Sequence, residues 1–211
     1  INSFVTNYLP MPIMVEEPYP FLLPKVSTFT TENSDSRNEF LIGYLDESIQ
    51  FNDMFAIISY ESELANFEAL AQFILSNDNF RLCLKPQFHK NSPSVIFKRS
   101  SYLDLLIKNS KLIEYYNTPI PGNARNNLLP SYAFRNVDLC IGSCIGGTAA
   151  YECAKSNIRS VLIHANTLYT PFNTYPFTGN VLFSNVHSVL QILSTFEDKD
   201  QFLQSDLGKW F

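Results

Sequence analysis

The residues best suited to chemistry sit in one continuous segment, Asp138-Leu-Cys-Ile-Gly-Ser143-Cys-Ile-Gly146-Gly147-Thr148-Ala-Ala-Tyr-Glu152. An apolar run passes into a turn of small residues, and the turn opens a helix. Gly146 and Gly147 let a ligand approach the backbone closely, and the free N–H groups and positive end of the helix favour an anion. Ser143 and Thr148 add hydroxyl donors. Glu152, about a turn further on, can accept hydrogen bonds from a ribose diol. A phosphate joined to a ribose is the ligand chemistry that suits this set. The same residues also read as a tight strand–helix turn, with Thr148 a plain N-cap and Glu152 a surface glutamate.

A second group is Lys85-Pro86-Gln87-Phe88-His89, directly after the apolar run Arg81–Leu84. Lys85 offers a point charge to a phosphate and His89 a switchable donor; a solvated loop is the alternative for both. A third is Gly43-Tyr-Leu-Asp46-Glu47-Ser48, whose two carboxylates read either as a pair or as solvated strand-end residues. The three histidines, His89, His164 and His187, form neither a Ser-His-Asp order nor a metal-ligating cluster. A self-contained hydrolytic or zinc site is therefore not expected.

These residues need a scaffold, and the apolar pattern supplies one. Phe40–Leu45, Arg81–Leu84, Leu112–Tyr116, Val137–Ile141, Ser160–Ile163 and Val181–Phe183 read as short strands. Glu61–Leu75 carries Leu64, Phe67, Leu70, Ala71 and Ile74 at spacings of three and four, which predicts a helix with one buried face. Further helices are expected at 101–108 with Ser101 as cap, at Asn127–Phe134, from the Gly-rich loop to Lys155, and at Val186–Phe196. Strands that are apolar throughout are buried on both faces, and their alternation with helices predicts βαβ units. The expected fold is α/β: an open, mostly parallel Rossmann-like sheet with helices on both faces. Open sheets of this kind hold ligands beyond the carboxyl ends of their strands. The Ser143–Thr148 loop should therefore lie at that edge beside the Lys85 loop.

The first 38 residues differ from the rest. Pro10, Pro12, Pro18, Pro20 and Pro24 each fix φ and remove a donor, and Thr28–Asn38 is rich in Thr, Ser and Asn. Residues 1–38 read as an arm and linker, with a short strand at Ile13–Val15, and residues 39–211 as the main domain.

With 45% hydrophobic residues, 18 Phe and 11 Tyr among 211 residues, the chain can build a substantial core. A net charge of −5, with no basic run, argues against a nucleic-acid partner. No apolar run nears the roughly 20 residues that span a bilayer. Cys83 and Cys140 fall in expected strands and Cys144 in the turn, and no CxxC pair is present among the four cysteines. Reduced thiols and a cytoplasmic setting are expected. Because the sequence begins at Ile1, it reads as a fragment or processed product.

In this order, Phe40-Leu-Ile-Gly-Tyr-Leu-Asp46, Leu84-Lys-Pro86, Val137-Asp-Leu-Cys-Ile-Gly-Ser143, Gly147-Thr148-Ala-Ala-Tyr-Glu152-Cys-Ala and Val161-Leu-Ile-His164 resemble the C-terminal half of GT-B glycosyltransferases. The likeness is to the bacterial surface-carbohydrate proteins of capsule and lipopolysaccharide biosynthesis, and it covers roughly residues 39–200. The resemblance implies a metal-independent transferase domain that uses a nucleotide-sugar donor as substrate and needs no cofactor. It implies Ser143, Gly146, Gly147 and Thr148 at the donor phosphate, Glu152 near the ribose, and Lys85 or His89 near phosphate or base. Related sialyl- and Kdo-type transferases carry a Lys-Pro-His-Pro-like element where this chain has Lys85-Pro86-Gln87-Phe88, so His89 departs from the pattern. The acceptor would be a saccharide or lipid-linked saccharide. The location would be the cytoplasm, with a peripheral place at the inner membrane also open. The catalytic base of inverting members comes from an N-terminal domain not evident in this sequence. Two other readings stand beside this one: a non-catalytic binding or interaction module with the same fold, and a sugar-nucleotide epimerase-like protein.

Overall fold

A computed structural model describes residues 39–45, 60–86, 100–115, 129–143, 148–163 and 180–210. The arm expected over residues 1–38 lies outside them. The elements run β1 (Phe40–Leu45), α1 (Tyr60–Ser76), β2 (Phe80–Lys85), α2 (Ser101–Lys108), β3 (Leu112–Glu114), α3 (Pro130–Ala133), β4 (Leu139–Ser143), α4 (Thr148–Lys155), β5 (Ser160–Ile163), β6 (Leu182–Phe183), α5 (Val186–Leu193) and α6 (Lys199–Gln204).

Among the described residues the strands form one six-stranded sheet in the order β3-β2-β1-β4-β5-β6. Its five pairings are parallel. The fold is α/β and Rossmann-like, with an open sheet.

The connections dictate which face each helix covers. β1 to β2 to β3 steps outward in one direction, whereas β3 to β4 to β5 steps in the other. Right-handed crossovers then require the connecting helices to change face. The packing agrees. Phe40, Ile42 and Tyr44 of β1 join Phe67, Leu70 and Ile74 of α1, Leu106 of α2, Val189 and Leu193 of α5 and Phe202 of α6 in one buried cluster. Leu45, Cys83 and Cys140 join Ala133 and Phe134 at α3 and Ala150 and Cys153 of α4 in a second. Helices therefore cover both faces, and the reversal of direction falls between β1 and β4.

Two glycines show how closely the second layer sits. A Cβ built on Gly43 would lie 2.7 Å from two carbons of the Phe134 ring, so β1 needs glycine where that ring crosses it. A Cβ on Gly142 would come within 3.2 Å of Ala150 Cβ, which lets α4 lie close on β4.

The amino edge of the sheet is held by charge. Asp138 accepts from the Leu41 backbone N–H at 2.9 Å and pairs with Lys199 at 2.8 Å. Arg81 meets Glu39 at 3.3 Å. Arg159 lies over the Phe202 ring, 4.6 Å from its centroid, and donates to the carbonyls of Phe202 and Ser205 at 2.9 and 3.0 Å, closing the carboxyl end of α6.

Several boundaries differ from those read in the sequence. Strand β4 lies two residues later than Val137–Ile141, because Val137 closes a turn by donating to Phe134 C=O at 2.9 Å. The cap of α2 is Ser100, not Ser101: its hydroxyl accepts from Tyr102 N–H at 3.3 Å. On α1 the buried slot taken for Leu64 belongs to Glu63, while Leu64 is half-buried. Strand β3 ends at Glu114, and helix α3 is a single turn begun by Pro130. Helix α6 was not expected. Its signal was Asp198-Lys-Asp-Gln201, where Asp198 caps the Gln201 N–H at 2.8 Å.

Candidate functional site

The candidate site lies at the carboxyl edge, where the sheet changes direction. There β1 and β4 are neighbours, but their registered pairing ends at Tyr44–Ile141. Strand β4 continues two residues further beside β5, to Ser143–Ile163. Two helices start at this edge from opposite faces, α1 after β1 and α4 after β4. This junction is where open α/β sheets hold their ligands.

Ser143 is the last residue of β4 and only 5% exposed. The sequence pattern puts it in the turn; the strand extends to include it, with Gly142 leaving room for Ala150 on the other face. In phase with Leu139 and Ile141, it belongs to the face covered by α1 and α5. Thr148 is exposed and is the first residue of α4.

Lys85 ends β2 and is 6% exposed, far below what a solvated loop lysine shows. In phase with Cys83, it belongs to the face of α3 and α4. Lys85 and Ser143 thus share the carboxyl edge, one strand apart across β1, but belong to opposite faces. Gly146, Gly147 and His89, like Asp46, Glu47 and Cys144, lie outside the described residues.

Glu152 is half-buried on α4, and its side chain is engaged. Its Oε1 accepts from the Ser131 hydroxyl at 2.6 Å and from the Ser131 backbone N–H at 3.3 Å. The N-cap position of α3 is Leu129, which supplies no side-chain bond. Glu152 provides the missing acceptor from the neighbouring helix. The expected ribose ligand thus has a structural partner that the sequence did not reveal.

Two residues at this edge escaped the sequence reading. Glu63, in the first turn of α1, is 2% exposed and accepts from the Tyr44 hydroxyl at 2.7 Å. Tyr44 itself is 3% exposed. The available signal was spacing: Glu63 stands four residues before Phe67, on the apolar stripe of α1. A carboxyl group there needs internal partners, and the Tyr44 hydroxyl is one of them. On the other face Tyr115 packs its ring edge-on to Phe134 at 6.2 Å, and burial pushes its hydroxyl pKa up to about 12.

Burial governs the described thiols. Cys83, Cys140 and Cys153 are free and buried. Burial pushes Cys83 up to about 12 and raises Cys140 well above the ordinary thiol range. Thiols this far from ionisation are poor nucleophiles and poor metal ligands. Among the described residues no group of three or more His, Cys, Asp or Glu is arranged to hold a metal ion, and no helix is long and apolar enough to cross a membrane.

The electrostatic contrast between the two edge helices is the most informative property of the site. The first turn of α1 carries Glu61 and Glu63, whereas the first turn of α4 carries no acid. Acidic residues in its first turn make the amino end of α1 less receptive to an anion, and the first turn of α4 carries none. No protein-family model matches this chain, and no curated protein does.

Proposed function

We propose that this chain is the donor-binding domain of a glycosyltransferase of surface polysaccharide biosynthesis, and that it holds a nucleotide-activated sugar at the carboxyl edge between β1 and β4. The observation that supports this reading is the contrast between α1 and α4. A Rossmann-like domain that binds a dinucleotide seats the pyrophosphate on the helix after its first strand. Here that helix has two acidic residues in its first turn, so a phosphate is better received at α4.

In the proposed complex the amino end of α4, with Thr148, faces the donor phosphates. Lys85, at the end of β2, supplies a positive charge toward the same edge, and Ser143 contributes a hydroxyl from the floor of the crevice. Their joint effect is to stabilise negative charge as the nucleotide leaves, which is the main contribution a donor domain makes to glycosyl transfer. The acceptor and the catalytic base belong to a further domain, so the chain alone binds the donor without turning it over.

The test is calorimetric titration of the whole chain with CMP-, UDP- and GDP-sugars, for the parent and for Lys85→Met and Thr148→Val. Binding of one nucleotide class by the parent, weakened about tenfold in each variant, supports the proposal; a tenfold change corresponds to about 1.4 kcal/mol. A parent that binds none of the three overturns it and leaves the interaction-module reading.

A further inference from the structure

We draw no further inference here: the strongest candidate, the buried Glu63–Tyr44 pair at the carboxyl edge of β1, belongs to the site already described, where its hydrogen bond ties α1 to β1 and its 2% and 3% exposures leave no surface for a ligand.

Discussion

Glu152 of α4 caps α3 through Ser131, whose hydroxyl donates to Glu152 Oε1 at 2.6 Å and whose backbone N–H donates at 3.3 Å. This contact joins the two helices that cover the second face of the sheet, beside the edge where a ligand is proposed. Replacing Glu152 by Ala removes both bonds and should cost about 1–2 kcal/mol, the usual range for a lost helix cap. Glu152→Gln keeps an acceptor oxygen in the same place and should cost well under half of that. Urea denaturation of the two variants checks the ordering. If glutamate also meets a ribose, the Gln variant will lose about 1–3 kcal/mol of nucleotide-sugar affinity with little loss of stability. Unchanged affinity would leave Glu152 as a cap alone.

Gly43 and Phe134 make a second, purely steric prediction. Gly43→Ala sets a methyl 2.7 Å from the ring and should destabilise the fold by about 1–3 kcal/mol. Shrinking the ring in Gly43→Ala/Phe134→Leu should recover part of that loss, so the two changes will not add. Denaturation of both single variants and the double variant measures the coupling. Strict additivity would show that the ring does not press on this strand.

Asp138 opens the segment that carries Ser143 and Thr148, yet its contacts are at the amino edge, at the other end of β4 from Ser143. Asp138→Ala removes one hydrogen bond to β1 and the ion pair to Lys199, and should cost about 1.5–3 kcal/mol. Its effect on ligand affinity, measured well below the melting temperature, should be negligible. A loss of binding without loss of stability would place Asp138 in the site after all.

Alkaline pH should weaken the fold through Cys83 and Tyr115. Both are acids whose neutral forms are favoured by burial, with values pushed up from 9.0 and 10.0 to about 12. Between the ordinary and the raised values the unfolded chain gives up a proton that the folded chain keeps, so stability falls as pH rises. It is fully present below pH 9.0 and is lost progressively toward about 12. Urea midpoints measured from about pH 8 to about pH 11 should therefore decline, and Cys83→Ala should flatten that decline. A midpoint that holds steady across this range would contradict the assignment.

The scaffold was more legible in the sequence than the site. Phe40–Leu45 and Ser160–Ile163 are strands at the limits their apolar runs suggest, because both faces of a central strand are buried and the pattern is unbroken. Strand β4 was harder, since Gly142 and Ser143 look like turn residues until Ala150 is seen packing against the glycine. Local pattern identified Lys85 and Ser143 as residues of the carboxyl edge, but not that they belong to opposite faces, which depends on strand register. The Glu152–Ser131 and Glu63–Tyr44 bonds join residues 21 and 19 positions apart on different elements. Nothing local in a sequence reports such partners, whereas the burial of Glu63 was foreshadowed by its place on the α1 stripe.

The anchoring ions at the amino edge, Asp138 with Lys199, Arg81 with Glu39, and Arg159 against the carboxyl end of α6, have an evolutionary consequence. They secure the sheet at the end remote from Lys85, Ser143 and Thr148. Substitutions at an exposed position such as Thr148 change what the carboxyl edge offers a ligand while those ion contacts stay intact. Drift there can therefore alter the chemistry of the carboxyl edge through intermediates that keep the fold.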